Sequence, residues 1–379
     1  MREFVTAPSL GELDAPEFLA ACDGLAGVEV FAASIAPRTG LLPAGVGREA
    51  LIARLRRARA FRLHASYWGS PTAFLGKIGH AELRRRFASE REFLDYFGDG
   101  SGRHQFSRWV DEYRLARDLG AETYVFHMID YATIDGAWEF EQSREEVLAA
   151  LSAVLQQLLL RLEEAGLLAD GPLIELENAG WGLEYGMQTA NDAVRVLDAV
   201  DDPRGSLRIG WDLNHLLHAL GADPGTGRAR FLLPDDDLDD DMRELADQRG
   251  DDLLDCWLES QLCDPRLRGR ISSVHVSDCA LKSREFFRRG RLIGDAAEEQ
   301  RRLPGTEQQR DFGLSLVLDH YDSHLPLGRG CLDGERLVGL LHRLDGENPG
   351  FAVLHELKLS RDVPTDLAEQ RRALGWDRA

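Results

Sequence analysis

The 379-residue chain has no apolar run long enough to cross a membrane. Its first residues, Met1-Arg2-Glu3-Phe4-Val5, carry no apolar signal segment, so a cytoplasmic protein is expected. Cysteine is scarce: Cys22, Cys256, Cys263, Cys279 and Cys331 form an odd, scattered set with no C-x-x-C pair. No disulfide framework is expected from them, only reduced structural thiols. Basic residues are outnumbered, 45 against 65 acids, for a net charge of -20. That balance repels polyanions on average and argues against broad binding of nucleic acid, although a local basic groove or bound metal ions would escape the count. Internal repeats are absent. Gly98-Asp99-Gly100-Ser101-Gly102 does not make a phosphate-binding P-loop and reads as a flexible loop.

What the chain does have is alternation. Short β-like runs alternate with stretches of helical periodicity, the pattern of a parallel α/β architecture. The strands read as Glu3–Ala7, Val28–Ala33, Phe61–Ser66, Thr123–Met128, Pro172–Glu177, Leu207–Leu213, Ser272–Ser277 and Ala352–Glu356. Eight strands close a (β/α)8 barrel, and 44% hydrophobic residues are ample for its core. Helices are expected over Arg48–Arg59, Phe106–Leu119, Ser143–Ala165, Ala190–Val200 and Gly334–Leu344. Leu119-Gly120 and Ala165-Gly166 read as helix stops. The expectation is one domain over residues 1–379, with loop insertions at about 221–268 and 279–320. The Asp-rich run at 235–241 reads as a solvated surface. The second insertion begins just after His275 and could cover a site as a lid.

Metal-type ligands recur at the ends of these strands, where barrel enzymes carry their chemistry. His64, His127, Glu177, Asp212, His215, His275, Asp322, His324 and Glu356 make nine donors. Mixed imidazole and carboxylate suits Zn, Mn, Fe or Co better than Ca or Mg. One ion holds about four to six ligands, so either two or three ions are bound or some donors face substrate. In Asp322-Ser323-His324 both donors turn to one side. In Glu175-Leu176-Glu177 both acids share a strand face, with Glu177 nearer the strand end as the ligand and Glu175 deeper in the barrel beside a cation. His80, His104, His218, His320, His342 and His355 read as structural. Trp68, Trp181 and Trp211 adjoin ligands and could wall a pocket, though barrel packing accounts for each equally well. Lys282 and Lys358 could anchor a phosphate or polarise a carbonyl; solvated surface positions account for them as readily.

On these residues the chain resembles the xylose isomerase-like TIM-barrel superfamily, over roughly residues 1–220 and 270–360. That group includes sugar-phosphate isomerases and epimerases, inosose dehydratases and the endonuclease IV family. His64-Ala65-Ser66-Tyr67 is similar to the His-x-Ser-Tyr segment of endonuclease IV. His127, Glu177-Asn178, Asp212-x-x-His215, His275, Asp322-x-His324 and Glu356 resemble the rest of its trinuclear zinc set. The family's His-Pro-Gly is His127-Met128-Ile129 here, and its Glu-Asn-Thr-Ala-Gly is Glu177-Asn178-Ala179-Gly180. The Asp322–Asp333 segment instead resembles an Asp-x-His-Leu-Pro-x-Gly-x-Gly-x-x-Asp loop of the isomerase and epimerase branch, as does His275-Val276-Ser277-Asp278.

Three functions are therefore expected. The first is a divalent-metal-dependent isomerase, epimerase or related lyase acting on a small polyhydroxylated substrate. Glu177, Asp212, His275 and Glu356 would then hold the metal, Glu177 and Glu356 would move the proton, and His64, His127, His215 and His324 would orient hydroxyls or bind a second ion. The second is a trinuclear zinc phosphodiesterase. The third is a multinuclear iron oxidative enzyme. Tyr67, Trp181, Trp211 and Lys282 are the candidate substrate contacts, and a homo-oligomer is expected by analogy.

Overall fold

The computed structural model describes residues 1–7, 9–36, 42–66, 89, 91, 103–130, 143–179, 185–220, 253–278, 287–288, 291–292, 324–328, 332–357 and 362–376. Eight parallel strands close a barrel: β1 (Arg2–Ala7), β2 (Gly27–Phe31), β3 (Ala60–His64), β4 (Thr123–His127), β5 (Leu173–Glu177), β6 (Leu207–Asp212), β7 (Ile271–Val276) and β8 (Ala352–His355). Each pairs with its sequence neighbours, and β1 closes on β8 with Val5 opposite His355. All eight expected strands form, each within two residues of its expected limits.

The surrounding helices are α1 (Pro16–Ala21), α2 (Val46–Arg57), α3 (Arg103–Leu119), α4 (Arg144–Glu164), α5 (Ala190–Ala199), α6 (Leu253–Leu262), α7 (Gly334–Glu347) and α8 (Val363–Ala373). Consecutive helices pack on one another from α2 to α7, and α8 packs on α1. The chain begins these helices with local chemistry. Ser143 and Glu146 form a capping box on α4, Thr189 and Asp192 another on α5, and the Asp333 carboxylate accepts the Glu335 and Arg336 N–H groups at the start of α7. Gly120 and Gly166 end α3 and α4 at φ 79° and 68°, each with the double hydrogen-bond closure of a left-handed cap.

Part of the expected insertion at 221–268 belongs to the ring: α6 packs between α5 and α7 and is followed by a 3-10 turn at Pro265–Leu267. Residues 221–250 and most of 279–320, including the Asp run, lie outside the described residues. Beside the main core, Phe4 of β1 and Ala352 and Leu354 of β8 form a separate small cluster, against which Ala26 and Phe61 pack. No described helix is long and apolar enough to cross a membrane.

Candidate metal centre

His64, His127, Glu177 and Asp212 are the last residues of β3, β4, β5 and β6, so the barrel delivers all four to one rim. His275 stands one residue before the end of β7, and Glu356 directly follows β8. His215 enters from the first turn of the helix after β6, whose start is held by the His215 N–H donating to Asp212 Oδ1 at 3.0 Å. His324 arrives from the long β7–α7 connection. There Leu325 exchanges two backbone hydrogen bonds with Asp278, whose carboxylate also accepts the Gly328 and Leu332 N–H groups at 2.9 and 3.1 Å. His324 itself has φ 39°, a left-handed conformation that costs a side-chain-bearing residue energy and is held by these contacts.

Eight of the nine expected donors thus meet, in three groups whose ligand atoms lie within 4.8 Å of one another: His64, His127 and Glu177; Asp212, His215 and His324; and Glu177, Asp212, His275 and Glu356. Glu177 and Asp212 each belong to two groups, which joins the three into one centre. The ninth donor, Asp322, lies outside the described residues, as do Tyr67, Trp181 and Lys282. Trp211 requires a correction. Alternation along β6 puts it on the face opposite Asp212, and it is fully buried in the core packed against the helices, so it does not line the site.

Neighbouring groups set the histidine tautomers. His64 Nδ1 faces the Ala65 carbonyl at 2.8 Å and His215 Nδ1 faces the Asn178 carbonyl at 2.8 Å. A carbonyl only accepts, so both Nδ1 atoms carry the proton and Nε2 keeps the lone pair that could meet a metal ion. Asn178 also clamps β5 to β6, its amide exchanging hydrogen bonds with the Asp212 backbone at 2.7 and 3.3 Å. His275 is turned the other way: Nε2 faces Glu175 Oε1 at 3.2 Å, and Nδ1 faces Glu356 Oε2 at 2.9 Å.

The electrostatics favour cations. Burial pushes the Glu177 carboxyl up, but the imidazoles of His127 and His275 outweigh it and hold the group well below the usual carboxylate range. Burial lowers His275, and Glu177, Glu175 and Glu356 more than reverse this. Burial dominates at His127 and takes it down to about 4. Glu177 Oε1 is buried without a hydrogen bond and lies 3.6 Å from both His215 Nδ1 and His275 Nδ1. Buried carboxylate oxygens crowded among imidazoles fit divalent ions, which would displace the protons held there.

Two charged residues inside the barrel escaped the sequence reading. Arg62, two residues before His64, donates to Glu29 at 2.9 Å and to Glu175. The pairing of Glu175 with a cation was expected; its partner and Glu29 were not. A charged residue alternating with apolar ones on a strand buried on both faces is the signal that marks them.

An eight-stranded barrel that gathers imidazole and carboxylate donors at its C-terminal rim places them where barrel enzymes carry their chemistry, in groups that could hold metal ions. The chain belongs to the xylose isomerase-like TIM barrel family, whose model matches residues 17–374. Comparison with curated proteins returns no match. Among solved structures it is similar to a D-tagatose 3-epimerase-like protein, at 14% identity and TM-score 0.51, with 99% of this chain and 97% of that chain covered. It is similar also to endonuclease IV from Thermus thermophilus, at 19% identity and TM-score 0.51, with 99% of each chain covered. An L-ribulose 3-epimerase matches at 12% identity and TM-score 0.50, covering 99% and 93%. These likenesses carry the fold.

Proposed function

We propose that this protein is a multinuclear divalent-metal-dependent hydrolase acting on a small phosphodiester. The observation that carries the reading is the joining of three donor groups through Glu177 and Asp212. Isomerisation at one ion needs only the group of Glu177, Asp212, His275 and Glu356. The imidazoles of His64, His127, His215 and His324 would then be left to orient substrate hydroxyls, whereas the two flanking groups seat each of them beside a carboxylate, as an ion site requires. Divalent ions held by the three groups would supply positive charge for a phosphoryl group and lower the pKa of water. The chain's part is to place the donors. Glu177 and Asp212 tie the groups together, the Asn178 and Ala65 carbonyls aim His215 and His64, and the buried rim excludes bulk water from the carboxylates. The net charge of -20 favours a small substrate over duplex nucleic acid.

A second reading, the epimerase or isomerase, draws on the four-donor group alone, where Glu177 and Glu356 could work as a pair of acid/base carboxylates. Elemental mass spectrometry on protein purified without chelator, with parallel assays on bis(p-nitrophenyl) phosphate and on ketohexoses in deuterated water, separates the two. About three ions per chain and ester hydrolysis are expected. One ion per chain with deuterium entering a sugar would overturn the hydrolase reading in favour of epimerisation. Two or three irons with oxygen consumption would replace both with oxidative chemistry.

A further inference from the structure

Next to the donor groups a second polar layer crosses the barrel. Arg62 is 2% exposed, and its guanidinium donates to Glu29 Oε2 at 2.9 Å and to Glu175 Oε1. Glu175 is itself fully buried and accepts from Ser272 Oγ through Oε2 at 2.5 Å. Its Oε1 also faces His275 Nε2 at 3.2 Å. The barrel wall makes room for this carboxylate at Gly210, where a Cβ would stand 2.6 Å from the Glu175 carboxyl carbon. The arrangement thus constrains Glu175 by an arginine of β3, a glycine of β6 and a serine and a histidine of β7.

A neutral imidazole has one proton and one lone pair, so the partner of one nitrogen decides what the other can do. His275 is wholly buried, and no bulk water competes for that choice. We propose that Glu175 is a positioning residue: by accepting the Nε2 proton of His275 it turns Nδ1 into the ligand atom facing Glu356 and Glu177, and so sets the affinity of the four-donor group for its ion. The assignment rests on the reading that this group holds a divalent ion. Glu29 is the built-in comparison. It shares the layer, the burial and Arg62, but its hydrogen bond runs to Arg62 and not to His275.

The test is a zinc competition titration against a chromophoric chelator, resolving each ion, on the full-length wild type, Glu175→Gln and Glu29→Gln, with thermal melts run alongside. Glu175→Gln is expected to weaken one ion by about 10- to 100-fold, the range typical when a partner of a ligating histidine is lost. Glu29→Gln is expected to lower the melting temperature comparably and to change ion affinity by less than about threefold, because it leaves the histidine's partner in place. Equal affinities in the two variants would overturn the positioning role and leave the metal reading intact. A wild type that takes up no divalent ion would sink that reading itself. Should Glu175→Gln not fold, a long-range 1H–15N spectrum of the zinc-loaded, histidine-labelled wild type decides. The resonance removed by His275→Gln is expected to carry its proton on Nε2, and a proton on Nδ1 would refute the proposal.

Discussion

Glu177 lies where two donor groups meet, with His64 Nε2 at 3.1 Å and His127 Nε2 at 2.7 Å from one carboxylate oxygen and two further imidazoles near the other. A shared donor should matter more than a terminal one. Glu177→Gln is expected to lower the occupancy of two ions, whereas His324→Ala, in a single group, should lower one. Because ions so placed act on charge that develops during reaction, Glu177→Gln should cut kcat by about 10²–10³-fold. Metal analysis of both variants beside wild type checks this; equal losses would mean that Glu177 is not a bridge. At this scale the gathering of eight donors at one rim was readable, because His, Asp and Glu at strand ends are conspicuous in apolar surroundings. The division into groups was not, since it depends on how far each strand is staggered against the next. Trp211 shows the opposite error: adjacency to Asp212 in sequence is opposition across a strand.

The end of α3 and both ends of α4 were readable, since glycine closes each and Ser143 with Glu146 opens α4, whereas α3 begins three residues before the expected Phe106. The helices at Leu213–Leu220 and Leu253–Leu262 were not: the first is fused directly to a strand with no punctuating residue, and the second adjoins a long polar segment that reads as loop. Gly120 gives this scale its measurement. Its φ of 79° is open to glycine and strained for any residue with a Cβ, yet no neighbouring atom lies within 4 Å of where a Cβ would stand. The cost of Gly120→Ala is therefore conformational alone, about 1 kcal/mol. Urea denaturation should show that loss with an unchanged slope and unchanged metal content. A loss several times larger would mean that the α3–β4 turn carries tertiary contacts beyond its backbone geometry.

The closed barrel follows from a count of strand-like runs that the structure reproduces, because a parallel sheet buried on both faces writes itself as continuous apolar segments. How the barrel is sealed between its first and last strands could not be read, since the seam joins residues from opposite ends of the chain. There Glu3 of β1 meets His355 of β8, whose Nε2 lies 3.2 Å from Glu3 Oε2. Arg371 of α8 donates to Glu3 at 2.9 Å, the Gln370 amide donates to His355 Nδ1 at 3.0 Å, and Trp376 packs edge-on against the ring. With Nδ1 accepting, the imidazole is neutral and its Nε2 proton goes to Glu3. Burial pushes His355 below its usual 6.5 against the pull of Glu3. The unfolded chain therefore binds a proton first as pH falls below about 6.5, and stability drops by at most about 1.4 kcal/mol per pH unit for that one proton. Burial raises Glu3, but the His355 N–H and Arg371 together hold it below 4.5, so its contribution is present above 4.5 and lost as pH falls further. Both losses lie on the acid side. His355→Asn keeps a polar group at the seam but cannot titrate, so it should flatten the first loss and keep the second. Urea midpoints of wild type and variant from about pH 7.5 down to 4, compared as differences so that the metal-site histidines cancel, measure this. A wild type that gains stability relative to the variant as pH falls through 6.5 would mean that His355 is charged in the fold and that the seam is an ion pair.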